Sequence, residues 1–393
     1  MNKKQKIGLI LVVSILFLDM MLYSLLIPLV PFLEENFKLS PTMIGVLFSS
    51  YAVGLMVTTP FLGSLTDRIG RKKPIVFGLI GMALSTVMFA FAFDMYWLIA
   101  ARFVQGVAGA SAWVASLALL ADLFPTHMRG AAMGTALTGI STGTLLGAPV
   151  GGWLMEIGGF LAPFIFSAIL SVVILIVVLL FLPTAPIKKN DNKEGGALSL
   201  LRNPAILFVA SVIVAGQIIL CALEPILPMF LEQRFTSSAA LIGMMFGAAT
   251  VGYAAISPVA GALADRYNPY ALMLIGLSVL VVGLPLLTLA RTVWQEVAAI
   301  ALVGTSLGFA LAPTLSTLGK IVDRTGIGSY GAVYSLFNLS EGVAIIVGPL
   351  LGGRLVDLWS IETVFVGGGI ALSVYVVVSF LGLRAYRHRE VTH

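Results

Sequence analysis

The sequence predicts an all-α membrane protein with twelve spanning helices in two pseudo-symmetric bundles of six. Three observations carry that prediction. First, 59% of the 393 residues are hydrophobic and only 10% are charged, against about 25% charge in a soluble domain. So few charges cannot cover a water-facing surface, and so much apolar content excludes disorder. Second, the apolar residues fall in twelve runs, each long enough to cross a bilayer core of about 30 Å. Third, the two halves repeat one another.

The runs lie at about 7–31, 42–64, 74–93, 97–120, 132–155 and 160–182 in the first half. The second half has them at 205–231, 240–263, 270–290, 294–319, 330–354 and 362–383. The first run is too long for a signal peptide and lacks a small-residue cleavage site, so it reads as a span. Most of the 23 lysines and arginines fall on one side if the N-terminus is cytoplasmic. Both termini are therefore expected inside. The net charge of +5 comes from these loop clusters, so no nucleic-acid partner is expected. The one cysteine, Cys221, cannot form an internal disulfide. His127, His388 and His393 sit in loops or the tail; no metal or cofactor is expected.

The polar stretch with KKNDNKEGG divides the chain. It sets expected boundaries at 1–184 for the first bundle, 185–204 for a cytoplasmic linker and 205–393 for the second bundle. Pro28-Leu29-Val30-Pro31 recurs as Pro225-Ile226-Leu227-Pro228, and Gly63, Asp67 and Arg68 recur as Gly261, Asp265 and Arg266. Asp122 recurs as Asp323, and Gly147, Gly151 and Gly152 as Gly348, Gly352 and Gly353. An offset near 200 residues at so many separated places marks an internal repeat. Parallel repeats of this kind relate two bundles by an axis along the membrane normal, with a substrate site between them.

The loop GSLTDRIGRKK, Gly63 to Lys73, closely resembles the signature loop of the major facilitator superfamily. Gly63 is expected to allow tight helix packing. Asp67 suits a helix N-terminus, and Arg68, Gly70 and Arg71 complete the spacing. Arg102-Phe103-Val104-Gln105-Gly106 resembles the fourth-helix motif of proton-coupled members. GTLLGAPVGG, with Gly147 and Pro149, resembles the fifth-helix motif of the drug:proton antiporter branch, with Ala148 departing from its Gly-Pro pair. Gly348 and Pro349 keep that pair in the second copy. Small residues at these spacings are expected to bring the halves close together.

Within the branch, the chain resembles the vesicular monoamine transporter group and its bacterial relatives. FLDMMLYSLLIPLVPFL places Asp19 where the group has its membrane aspartate. CALEPILPMFLEQRF places Glu224 at the membrane glutamate, and YGAVYSLFNLSEGVAIIVGPLLGG continues the likeness. Two positions depart together: Tyr51 stands where the group has a lysine, and Asn338 where it has an aspartate.

A carboxylate in mid-membrane costs about 2.5–3.5 kcal/mol on insertion scales, so it must be protonated, paired or hydrated. Asp19, Glu224 and Glu341 are such carboxylates, and Arg102 is the accompanying cation or an anchor that snorkels outward. These four are the candidate proton-coupling and cation-binding residues. Phe230, Phe246 and Tyr253 fall on positions that the resemblance places in the monoamine cavity. Tyr51, Trp113, Gln217, Tyr334 and Asn338 complete the candidate lining; aromatic faces bind cations at about 0.5–2 kcal/mol each. Asp122 and Asp323, as repeat equivalents, are expected to pair with loop arginines such as Arg129 and Arg324 in a cytoplasmic gate.

The expected function is proton-coupled antiport that exports lipophilic organic cations by alternating access, and not catalysis. The expected partners are a small organic cation, protons and the lipid bilayer. The chain is expected to act as a monomer in the cell membrane, of the bacterial cytoplasmic type. Two alternatives remain: a proton-linked carrier of a neutral metabolite or sugar, and a membrane sensor built on a transporter fold.

Overall fold

The computed structural model describes residues 1–183, 200–201, 203–325 and 330–391. The expected linker, 185–204, lies almost entirely outside them. Among the described residues every regular element is helical. Asn2 opens α1 (Lys3–Ser24) through a reciprocal capping box with Gln5. The first run is not one helix. A 3-10 turn at Ile27–Leu29 separates α1 from α2 (Val30–Phe37), because Pro28 and Pro31 bring no N–H to the ladder. Ser40 caps α3 (Pro41–Ile69), α4 covers Lys72–Ala90, and Asp94 caps α5 (Met95–Leu123). The series continues with α6 (Thr126–Gly158) and α7 (Leu161–Phe181). The second half holds α8 (Pro204–Phe235), α9 (Ala239–Arg266), α10 (Pro269–Leu289) and α11 (Val293–Thr325). It ends with α12 (Tyr330–Leu358) and α13 (Ile361–Val391).

Eleven of these stretches are long and apolar enough to cross a membrane, with α1 and α2 counted as one. The exception is α6. Its glycines, threonines and serines lower its hydropathy, and the same small residues let it lie close along α1. Gly147 faces the Met21 carbonyl and Ser24 of α1, and Gly151 faces Leu25.

The described residues form two compact units. The first joins Met1–Asp191 with Leu227–Gly247, and the second joins Asn192–Ile226 with Ala248–His393. The end of α8 and the start of α9 thus group with the first unit. There α1 packs on α6, α3 on α5, and α4 on α5 and α7. Val12, Ile15, Leu79, Ala112, Leu119 and Val178 are central to its buried core. In the second unit α10 packs against α11 and α13, around Leu277, Leu280 and Leu307. Outward residues such as Leu180, Phe181, Ile370 and Val378 are large, apolar and exposed, which suits a lipid surround.

The glycine motifs act differently from their expected roles. Gly348 lies against Ile218 and Cys221 of α8, within the second unit, just as Gly147 lies against α1 in the first. They tighten each unit internally. A Cβ at Gly63 would meet nothing within 4 Å, so Gly63 makes no close approach here. Gly106 of α5 does: a Cβ there would run into the Tyr51 backbone carbonyl on α3. Overpacking a close site costs about 1–3 kcal/mol. Gly106→Ala should therefore lower the detergent melting temperature by several degrees, and Gly63→Ala should leave it unchanged.

Candidate functional site

The first unit carries its polar cluster where α1, α3 and α5 meet. Asp19 is 1% exposed. Its Oδ2 accepts a hydrogen bond from the Tyr51 hydroxyl at 3.1 Å, and its Oδ1 has no partner among the described residues. Gly109 on α5 gives this carboxylate its room, since a Cβ there would sit 2.7 Å from Oδ1. Desolvation at such a position is costly unless a proton or a cation arrives.

Arg102 is equally buried, so it does not snorkel. Its Nη1 donates to Gln105 Oε1 at 2.8 Å and its Nη2 to the Tyr23 carbonyl at 3.2 Å. The rings of Tyr23, Phe48, Tyr51 and Phe89 surround it, with centroids 5.3 to 5.9 Å from Cζ. Desolvated cation–π contacts are worth about 2 kcal/mol or more. This cage holds the guanidinium within electrostatic reach of Asp19. Beside it is a small pocket lined by Thr86, Arg102 and Gln105 among apolar side chains, with room for about one water. Tyr51 is thus the partner of Asp19 and part of the arginine cage. Trp113 is half-buried against the apolar core.

In the second unit α8 presents Gln217, Cys221 and Glu224 one turn apart on one face. Gln217 Nε2 donates to Glu341 Oε1 of α12 at 3.1 Å, and its own Oε1 has no partner among the described residues. Glu224 and Glu341 both act electrostatically on Cys221, and Glu341 acts on Tyr253. Four expected residues, Gln217, Glu224, Tyr253 and Glu341, therefore share one neighbourhood. Asn338 is exposed one turn before Glu341. The side chain of Tyr334 lies outside those described. Phe230 and Phe246 are on the parts of α8 and α9 that belong to the first unit; Phe230 is buried under the Arg234 guanidinium at 5.6 Å.

The loop after α3 holds an ion cluster that was not expected in this form. Asp122 pairs with Arg71, not Arg129: Arg71 Nε donates to Asp122 Oδ2 at 2.8 Å, and its Nη1 donates to Asp67. Arg129 instead donates to the Phe124 carbonyl at 3.2 Å. Asp67 sits in the last turn of α3, not at a helix N-terminus. Burial acts to lower the Arg71 pKa, but the bonds to Asp122 and Asp67 outweigh it and hold the guanidinium above its ordinary range. Gly70 ends α3 at φ +85, a conformation that favours glycine. Arg68 is exposed. In the second half Asp265 pairs with Lys320 at 2.7 Å on an open surface, and Asp323 is exposed. Arg324's side chain is outside those described. Sequence reasoning missed Lys320, the Tyr23, Phe48 and Phe89 rings of the arginine cage and Glu296, a fully buried carboxylate in the first turn of α11. Only Gln105, three residues from Arg102 on one helix face, gave a local signal.

This fold and these sites define a class: a polytopic helical membrane protein in two units, each with carboxylates held inside its spans. The Major Facilitator Superfamily profile matches residues 12–223 and again 222–392. The chain belongs to that superfamily. The human chromaffin granule amine transporter is 33% identical over 345 residues, covering 88% of this chain and 65% of its own length. The rat vesicular acetylcholine transporter is 33% identical over 368 residues, covering 91% of this chain and 68% of its own. The chain thus spans about two thirds of the length of these relatives. Among solved structures, a bacterial homologue of the human lysosomal transporter Spinster, in an inward-facing and occupied conformation, superposes with a TM-score of 0.82. It covers 98% of each chain at 14% identity, which is a likeness of fold.

The two partners of Arg71 differ in exposure, 4% for the Asp122 side chain against 49% for Asp67. Removing one partner of a buried pair costs about 3–5 kcal/mol, while an exposed pair is worth about 1 kcal/mol or less. Asp122→Asn should therefore lower thermal stability well below that of Asp67→Asn, read as melting temperature in one detergent.

Proposed function

We propose that the chain is a proton-coupled antiporter that exports lipophilic organic cations by alternating access. The observation that carries this reading is Asp19: a buried carboxylate with one oxygen held by Tyr51 and the other left for a proton or a cation. Exchange at one carboxylate needs that competition, because two positive charges cannot share a single desolvated anion. The relatives named as amine and acetylcholine transporters support organic cations as the substrate class.

In the proposed cycle a cation reaches the protein from the cytoplasmic side, where both termini and the Arg71 cluster are assigned. It displaces protons from Asp19 and from the Glu224–Glu341 neighbourhood. The units then rearrange, and protons entering from the other side release it. Arg102 stays in its cage beside Asp19. Each elementary charge moved across the membrane costs or gains about 2.3 kcal/mol per 100 mV. One proton against one monocation makes the exchange electroneutral, and a second makes it electrogenic. Gly63, Gly70, Pro149 and Pro349 are assigned to the helix ends and bends that accommodate the rearrangement, and Asp323 to the cytoplasmic end of α11.

In proteoliposomes with an imposed pH gradient, the wild type should accumulate a lipophilic monocation on the acidic side, and unlabelled monoamines should compete. Asp19→Asn and Glu224→Gln should each reduce uphill uptake to background while leaving the protein monodisperse. Uphill exchange surviving both substitutions contradicts the proposal. Competition by neutral sugars, with none by cations, would favour a metabolite carrier instead.

A further inference from the structure

The second unit sets an amide against an acid where α8 and α12 run side by side. Gly348 and Gly352 keep that crossing close. A Cβ at Gly348 would meet the Ile218 carbonyl, and one at Gly352 would meet Ala222 and Ile226. Gln217 Nε2 donates to Glu341 Oε1 at 3.1 Å. Gln217 Oε1 is buried and has no hydrogen-bond partner among the described residues. No lysine or arginine among those residues forms an ion pair with Glu341. The titratable groups around the pair are Cys221 and Glu224 on α8 and Tyr253 on α9. Glu341 acts electrostatically on Cys221 and Tyr253, and Glu224 acts on Cys221.

The contact is half made, and its chemistry says what completes it. A carboxylate only accepts hydrogen bonds, so an ionised Glu341 takes the amide N–H and offers the amide oxygen nothing. A carbonyl oxygen is then buried without a donor, which is costly. Water does not relieve it, because that atom is closed off from solvent. A protonated Glu341 keeps one oxygen for the amide N–H and carries an O–H on the other. Both groups are planar, so they can close a ring of two hydrogen bonds: N–H to the acid oxygen and O–H to the amide oxygen. Glu341 is half-buried, so a proton from water can reach it while the amide oxygen stays sealed.

We infer that Gln217 is the positioning residue for the proton on Glu341, holding the protonated acid in a two-bond ring across α8 and α12. The proton comes from water, forms an O–H bond on Glu341 and cancels its charge. That O–H then donates to Gln217 Oε1. The protonated pair ties the two helices by two hydrogen bonds and the ionised pair by one. The inference rests on the carrier reading above, in which Glu341 is a proton-coupling residue. In that cycle the arrival of a proton tightens α12 on α8, and its departure loosens the contact.

The test uses the full chain in phosphatidylcholine nanodiscs, with infrared difference spectra recorded as the pH is stepped. The carboxylic acid C=O band of Glu341 is the one that Glu341→Met removes. In Gln217→Met and Gln217→Leu this band should move to higher wavenumber, because the acid has lost both bonds. A second readout is made on the native pair, isotope-labelled at the glutamine side-chain carbonyls. One labelled amide band should move to lower wavenumber as Glu341 protonates, and Glu341→Met should abolish that movement. A merely structural Gln217 moves neither band. The inference is overturned if Glu341→Met removes no acid band, or if that band keeps its wild-type position in both Gln217 variants. It is also overturned if the labelled amide band stays fixed or rises. Absence of uphill transport in the wild type would contradict the carrier reading alone, since the infrared readout requires no transport.

Discussion

A carboxylate inside an apolar bundle must find a hydrogen bond, a counter-charge, a proton or a cation, and the first unit is organised around that requirement at Asp19. Tyr51 supplies one hydrogen bond, and Arg102 lies within electrostatic reach of the carboxylate. The guanidinium is held on Gln105 and the Tyr23 carbonyl inside its aromatic cage. Asp19 is therefore supported by one hydrogen bond, while its other oxygen is buried without a partner among the described residues.

The packing serves this arrangement. The close crossing of α3 and α5 at Gly106 puts Tyr51 beside Asp19, and Gly109 one turn further on leaves space for the carboxylate. Any side chain at either position would push on the elements that shape the site. The second unit solves the same problem differently. Its carboxylates, Glu224 and Glu341, are half-buried, and Glu341 is supported by the neutral amide of Gln217.

Much of this was legible from residue types alone. The spans follow from apolar run length, and the membrane carboxylates follow from the scarcity of charge. The superfamily follows from the Gly63–Lys73 loop. What failed to show was partner choice. Arg71 reaches Asp122 across 51 positions, and the rings around Arg102 come from α1, α3 and α4, so no local spacing reveals either. The break between α1 and α2 had a local sign in Pro28 and Pro31, but hydropathy masked it. Gly147 and Gly348 pack closely while Gly63 does not, and their partners lie within each unit because small-residue spacing says nothing about which neighbour approaches. In α6 the same glycines lower the hydropathy of a helix that the run at 132–155 still marked.

Proton release on binding tests the account most directly. Purified protein in weakly buffered detergent is mixed with a lipophilic cation, and the pH change is read with a dye. Competition at Asp19 predicts that the wild type releases protons as the cation binds. It also predicts that Asp19→Asn releases fewer protons per cation bound. Cation binding with no proton release in the wild type, or undiminished release in Asp19→Asn, would contradict it.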